Sequence, residues 1–377
     1  MKVFIYIVSI ILLIILFLFV FPIIKNMVRE KYSIGHIIDI EEWNKRILYI
    51  CKKWLNNTPV VPVNDNYFCS FFNKKESIQT WQKSSIYIAL SQYNVSRNKE
   101  YSNRIRKFEK SIGDEKIVSS DFGMLAFGLL RNNTNISFCN SMINYLKNNC
   151  SENGIIYYKS NCKDMCYVDT LGMVCPFLTI YGIKTNNGEL IELAKKQLVN
   201  YCAYGVEPIL KLPYHAYISE SGIKLGICDW ARGLAWMLIG FMDSYICLLE
   251  ANINDMFYRT NIEYYADLLL KLQQKSGGFT WQLLNNNVRT DSSATAVFGW
   301  YLAKCSMLFK NRKYLNHAIM CRDFIMQHTC RNGEVEHCQG DTIGIGNYSR
   351  NFSILPFAQG FTLRMQLEIE NAEKRKY

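Results

Sequence analysis

Asn153-Gly154-Ile155-Ile156-Tyr157-Tyr158, followed by Asp169-Thr170 and an apolar run, is a pattern that returns twice along the chain. Gly277-Gly278-Phe279-Thr280-Trp281 leads to Asp291-Ser292-Ser293 and a second apolar run. Asn332-Gly333-Glu334-Val335-Glu336 leads through a polar segment to a third. Gly154 to Asp169 and Gly278 to Ser293 both span 15 positions. A glycine turn, a short strand-like piece, polar residues and an apolar helix make one supersecondary unit. Units of this kind stack into a closed ring or a solenoid.

The apolar runs have helical spacing. Ala294, Val297, Phe298, Tyr301, Leu302, Cys305, Leu308 and Phe309 recur at i, i+3, i+4 and i+7. Ala231, Leu234, Ala235, Leu238, Met242, Tyr245 and Leu249 do the same. A further apolar helix containing Leu125, Phe127, Leu129 and Leu130 starts after Ser119-Ser120-Asp121, with Ser120 or Asp121 as its N-cap. Asp121, Asp169, Asp229 and Asp291 all stand at or just before a helix start, so parallel inner helices would gather these carboxylates at one rim. Capping alone accounts for an aspartate in such a place.

Of 377 residues, 49% are hydrophobic and 14% aromatic, which supports a packed core. The net charge of +11 favours acidic partners such as uronate glycans or anionic lipid. The basic residues are dispersed, without the aromatic-interleaved clusters of nucleic-acid grooves, and no nucleic acid is expected. The 14 cysteines form no small-domain disulfide framework, and Cys175, Cys247, Cys305 and Cys321 lie in apolar helical patterns as buried thiols. Cys162 and Cys166 have no second Cys/His pair nearby, so no metal site is expected.

Residues 3–24 are apolar except for Ser9 and Pro22, long enough for one membrane-spanning helix, and no small-x-small cleavage site follows. The reading is an anchor and flank over 1–30 and one further domain over 31–377, with 369–377 as a frayed helix end. Lys25, Arg29 and Lys31 after the span, against Lys2 before it, place the C-terminal domain on the cytoplasmic side of a single-pass protein.

Five stretches resemble a known family. Tyr167-Val168-Asp169-Thr170-Leu171-Gly172-Met173, then Pro176-Phe177-Leu178, looks like the signature of glycoside hydrolase families 88 and 105, the unsaturated glucuronyl and rhamnogalacturonyl hydrolases. Trp230-Ala231-Arg232-Gly233-Leu234-Ala235-Trp236 is similar to their WARGNGW segment. Asp121-Phe122-Gly123, Ser293-Ala294-Thr295-Ala296 and Gly340-Asp341-Thr342-Ile343-Gly344-Ile345-Gly346 resemble three further elements in the right order. Leu234-Ala235 replaces the usual Asn-Gly, and the aspartate that commonly follows the central histidine is missing after His215-Ala216-Tyr217.

The resemblance implies an all-α (α/α)6 barrel, here behind one N-terminal transmembrane helix. It also implies hydrolytic removal of a terminal 4,5-unsaturated uronic acid from an oligosaccharide. That sugar is an enol ether. Its hydration needs one carboxyl that gives a proton to C4 and then takes one from water adding at C5. By resemblance Asp169 is the acid/base and Asp121 the second aspartate. A helix start favours ionised Asp169, and a close carboxylate, expected to be Asp121, opposes this. His215 and Arg232 are expected to bind substrate, Arg232 through its planar fork, with a salt bridge to Asp229 as its structural alternative. Trp230, Trp236 and Tyr217 could stack on sugar faces or pack the core. No cofactor is implied. The rival reading is a catalytically silent glycan-binding or polysaccharide-assembly protein on the same barrel.

Overall fold

The computed structural model describes residues 2–59, 61–62, 75–76, 79–97, 99–112, 116–342 and 344–375. Ile343 of the glycine-rich stretch and 376–377 lie outside them. The chain begins with α1 (Lys2–Ile15), a π-helical turn (Leu16–Val20) and α2 (Phe21–Tyr32). The π-helical turn lies inside a continuous helical run, since Ile15, Val20 and Phe21 are all right-handed helical, and Phe4, Leu12, Phe17 and Phe21 are exposed.

Among the described residues twelve helices follow, as alternating outer and inner members. They are α3 (Ile40–Asn56), α4 (Thr80–Arg97), α5 (Lys99–Ile112), α6 (Phe122–Arg131), α7 (Ile136–Asn148), α8 (Val168–Lys184), α9 (Gly188–Tyr204), α10 (Ala231–Glu250), α11 (Met256–Leu272), α12 (Ser292–Phe309), α13 (Arg312–Gln327) and α14 (Pro356–Glu373). Each even-numbered helix from α4 packs on the next, and α14 returns to α4, so the six close a ring. Of the two repeat architectures the sequence allows, the ring forms.

Burial separates the two rings. Outer α3 is amphipathic, with Trp43, Ile47, Ile50, Cys51 and Trp54 on its buried face. Inner α10 is apolar on every side because neighbours surround it: all residues from Ala231 to Tyr245 are buried. Ala231–Glu250 is also the one described helix whose length and composition would let it cross a membrane, but 83% of its apolar window lies inside the barrel. Side-chain caps start several helices: Asn187 accepts from Leu190 N, Asp255 from Phe257 N and Asn311 from Lys313 N. At the other chain end, Ile369 and Ala372 are buried, so α14 is packed where a frayed end was expected.

The connections are unequal. Joins from inner to outer helices are short, over 132–135, 185–187, 251–255 and 310–311. Joins from outer to inner helices are long: 149–167, 205–230, 273–291 and 328–355. All the long loops therefore gather at the N-terminal ends of the inner helices. The segment between α3 and α4 carries β1 (Val61–Pro62) and β2 (Lys75–Glu76), and the long loops carry β3 (Met165–Tyr167), β4 (Ala216–Ile218), β5 (Lys224–Leu225), β6 (Cys338–Gln339) and β7 (Phe352–Ser353). β3, β4 and β5 form an antiparallel sheet, with Tyr167 opposite Ala216.

Glycines set the closest approach of α8 and α10. A Cβ at Gly240 would stand 2.8 Å from Leu171 O, and one at Gly172 would stand 2.6 Å from Trp236 O. Gly240→Val is expected to cost about 1–3 kcal/mol by overpacking, read as a thermal midpoint several degrees below that of the wild type.

Candidate active site

Strand pairing builds the centre of the site. The β3–β4 register brings His215 O to Val168 N at 3.0 Å. Asp169 is the next residue, in the first turn of α8. Its Oδ2 lies 3.6 Å from His215 Nε2, and no hydrogen-bond partner reaches that buried oxygen. The two residues line one cavity of about 280 Å³, together with Trp81, Tyr158, Lys159, Tyr167 and Asp341.

The environment of Asp169 favours its neutral form. Burial pushes the carboxyl up to about 7; backbone hydrogen bonding at its own helix start pulls it back, Asp341 raises it further, and Arg232 lowers it. The side chain still keeps 18% of its surface open to the cavity. Burial, with Arg232 nearby, brings His215 down to about 4, so its ring is neutral at pH 7. Trp230 and Tyr348 flank that ring, with centroids 4.6 and 5.5 Å away.

The sequence does not mark Asp341 as a titrating group, although the glycine-rich stretch that holds it resembles a family element. The loop between α13 and α14 carries it, and Arg232 holds that loop. Arg232 is 1% exposed; its Nη1 donates to Gln339 O at 2.6 Å and its Nη2 to Gly340 O at 2.7 Å. Nη2 also stands 4.0 Å from Asp341 Oδ1. Asp291 accepts from Gln339 N at 2.9 Å and from Ser293 N at 2.9 Å, so one carboxylate caps α12 and fixes the loop.

Among the carboxylates of the site, Asp341 raises Asp169, and Asp121 raises Asp341. Asp121 occupies the N-cap position of α6 without a side-chain capping bond, and burial raises its carboxyl while Ser119 and Tyr158 oppose the rise. Arg232 spends its fork on backbone carbonyls rather than on an open substrate subsite or on Asp229. Trp230, Trp236 and Tyr217, which the sequence leaves free to stack on sugars or to pack the core, are interior. Trp230 Nε1 donates to Gln339 Oε1 at 2.9 Å. Trp236 lies behind Trp81 and against Phe357. Tyr217 is 2% exposed and packs on Tyr201. Leu234 and Ala235 are fully buried in α10.

Two further residues of the site, Lys159 and Tyr158, carry no mark in the sequence. Lys159 is exposed and is the one lysine or arginine among the described lining residues. The Tyr158 hydroxyl feels Asp121, Asp169 and Asp341 together. The first repeat unit runs into this pair, but nothing in its spacing tells a pocket residue from a turn residue. A larger cavity of about 590 Å³ lies among the C-terminal ends of the inner helices. Four of its charged residues are paired, Arg131 with Glu250 and Lys304 with Glu368, and Lys184 donates to the Asn133 side-chain carbonyl.

A carboxyl whose pKa rises on folding binds its proton more tightly in the folded chain, so its contribution to stability falls as pH rises from about 4 to about 7 and then levels off. Asp169→Asn removes that cost. The variant is expected to match the wild type near pH 4 and to exceed it at pH 8 by on the order of a few kcal/mol. Denaturant unfolding at the two pH values checks this.

Comparisons with known proteins agree with this architecture. Among curated proteins none matches the chain by sequence. Solved structures do match in shape. A possible GH105 member from Salmonella enterica is 17% identical at a TM-score of 0.72, over 89% of this chain and 96% of that one. An unsaturated glucuronyl hydrolase specific for heparin is 17% identical at 0.70, over 89% and 99%. The unsaturated glucuronyl hydrolase of Bacillus sp. GL1 is 16% identical at 0.69, over 88% and 96%. These likenesses establish the (α/α)6 barrel. The sequence model of Glycosyl Hydrolase Family 88 matches residues 80–372, from the first residue of α4 to the last turn of α14. That stretch includes Asp121, Asp169, His215, Arg232 and Asp341, and the chain belongs to glycosyl hydrolase family 88, a glycoside hydrolase.

Proposed function

We propose that the protein removes a terminal 4,5-unsaturated uronic acid from an oligosaccharide by hydrating its enol-ether double bond. The observation that carries this reading is Asp169: a carboxyl held near pH 7, open to a cavity and beside a neutral histidine. A glycosidase that flanks the glycosidic oxygen needs a pair of carboxyls in two separate roles. Hydration of an enol ether needs one carboxyl that can alternate between acid and base. A cavity of about 280 Å³ is at the small end for ligand sites and suits a chain terminus.

In the proposed reaction the Asp169 carboxyl gives its proton to C4 while the double-bond electrons form the new C–H bond. The resulting cation at C5 is stabilised by the ring oxygen. Water adds at C5 and returns a proton to Asp169, which restores the acid. The C5 hemiketal opens, and C1 then releases the aglycone. His215, neutral and 3.6 Å from Asp169, can accept a hydrogen bond from the attacking water or from a sugar hydroxyl. Lys159 is placed to meet the sugar carboxylate. Asp341 adds to the negative field that helps Asp169 keep its proton, and Asp121 raises Asp341 in turn. A glycan-binding protein without catalysis would have no use for a carboxyl tuned in this way.

We also propose that residues 3–24 lie in a bilayer and that the barrel faces the cytoplasm. The exposed apolar side chains of α1 support the first point. The second is supported by the cysteines, all free thiols among the described residues.

Lyase-generated oligosaccharides test the function. The wild type is expected to abolish their enol-ether ultraviolet absorbance, and Asp169→Asn to leave it unchanged. Absorbance loss that survives in the variant defeats the assignment of Asp169. Because the acid must start protonated, kcat is expected to fall as pH rises through about 7. Lys159→Met should raise KM by about 10- to 100-fold, the worth of a charged hydrogen bond, and should have little effect on a substrate whose carboxylate is esterified.

A further inference from the structure

The last turn of α2 is outside the cavity, yet it is bonded to the loop that carries Asp341. Arg29 Nη1 meets Glu336 Oε1 at 2.9 Å, and the Glu336 side chain is only 2% exposed. The Glu30 carboxylate holds His337 Nε2 at 3.0 and 3.1 Å. Just beyond, Ser33 O accepts from Arg331 N, Gly35 N donates to Thr329 O, and Ile34 bridges to Cys330. The ring of inner helices closes without any of these contacts.

His337 has a φ of +59°, in the left-handed region that a residue with a Cβ rarely occupies. Such a conformation persists only where the surroundings hold it. Here the His337 carbonyl accepts from Ser292 N at 3.0 Å, its ring meets His328 edge-on at 4.6 Å, and Glu30 holds its Nε2. From this turn the chain runs directly into Gln339 and Gly340, whose carbonyls Arg232 grips, and then into Asp341.

We propose that Glu30 is a positioning residue of the active site. By holding the His337 ring it fixes the left-handed turn that carries Asp341 to the cavity, so the N-terminal helix is a working part of the enzyme as well as a tether. The proposal rests on the reading of Asp169 and Asp341 given above. It predicts a defect confined to one loop. Asp341 helps Asp169 keep its proton, so a displaced loop must also alter the pH at which activity is lost.

The test compares full-length wild type, Glu30→Ala and Glu30→Gln in detergent micelles, by amide hydrogen exchange and by kcat against pH on lyase-generated oligosaccharides. Glu30→Ala is expected to speed exchange across 337–342 while α12 and α14 keep wild-type protection. Its kcat at pH 7 should fall about tenfold, and the midpoint of its pH profile should move to lower pH. Glu30→Gln keeps an oxygen acceptor for His337 and should recover most of both properties. Unchanged exchange overturns the proposal. So does faster exchange with an unchanged kcat and pH profile. If the wild type is itself inactive on these sugars, the hydrolase reading fails, and the exchange comparison alone then decides for or against Glu30 as the residue that holds the loop.

Discussion

A carboxyl group withdrawn from water keeps its proton, and the placement of Asp169 follows from that constraint. The residue stands at a helix start, where backbone N–H groups favour the charged form. Burial outweighs them, and Asp341 adds repulsion in the same direction. Arg232 limits the effect from the other side. A group balanced near neutrality can give a proton and take it back, which a fully ionised aspartate or a deeply buried, permanently neutral one could not do.

The barrel meets this demand by separating two tasks. Six inner helices with apolar sides form the rigid ring, and the long loops at their N-terminal ends carry the polar groups. Arg232 is the joint between the two. It is rooted in α10, fully buried, and satisfied by two carbonyls of the loop between α13 and α14. A buried guanidinium that lost those carbonyls would be left with unmet donors, so the loop is held firmly. Asp291 and Trp230 fasten the same loop at Gln339. Three inward positions in the sequence motifs are therefore supports for a fourth residue, Asp341, which reaches the cavity.

The helices were legible in the sequence because a 3.6-residue apolar period fits little besides a helix. The pattern in 231–249 and 294–309 matches α10 and α12 closely. The long loops were legible as interruptions, and Asp169 and His215 as members of motifs. What a linear pattern does not carry is which loop folds over which helix. Asp121 and Asp341 both stand near glycines in the sequence. Only the path of the 328–355 loop decides that Asp341 acts on Asp169. Burial is hidden for a related reason: Trp230, Trp236 and Tyr217 sit at motif positions near the cavity, but their rings point into the packing between helices. The N-terminal apolar run reads as one helix, and its π-helical turn has no signature in composition.

The most direct measurement is the titration of Asp169 itself, from the difference in carboxyl infrared absorption between wild type and Asp169→Asn as pH is varied. A midpoint near 7 is the expected result. A midpoint near 4, as for an aspartate in water, would mean that the site does not protect this proton, and the chemistry assigned to it could not proceed at neutral pH.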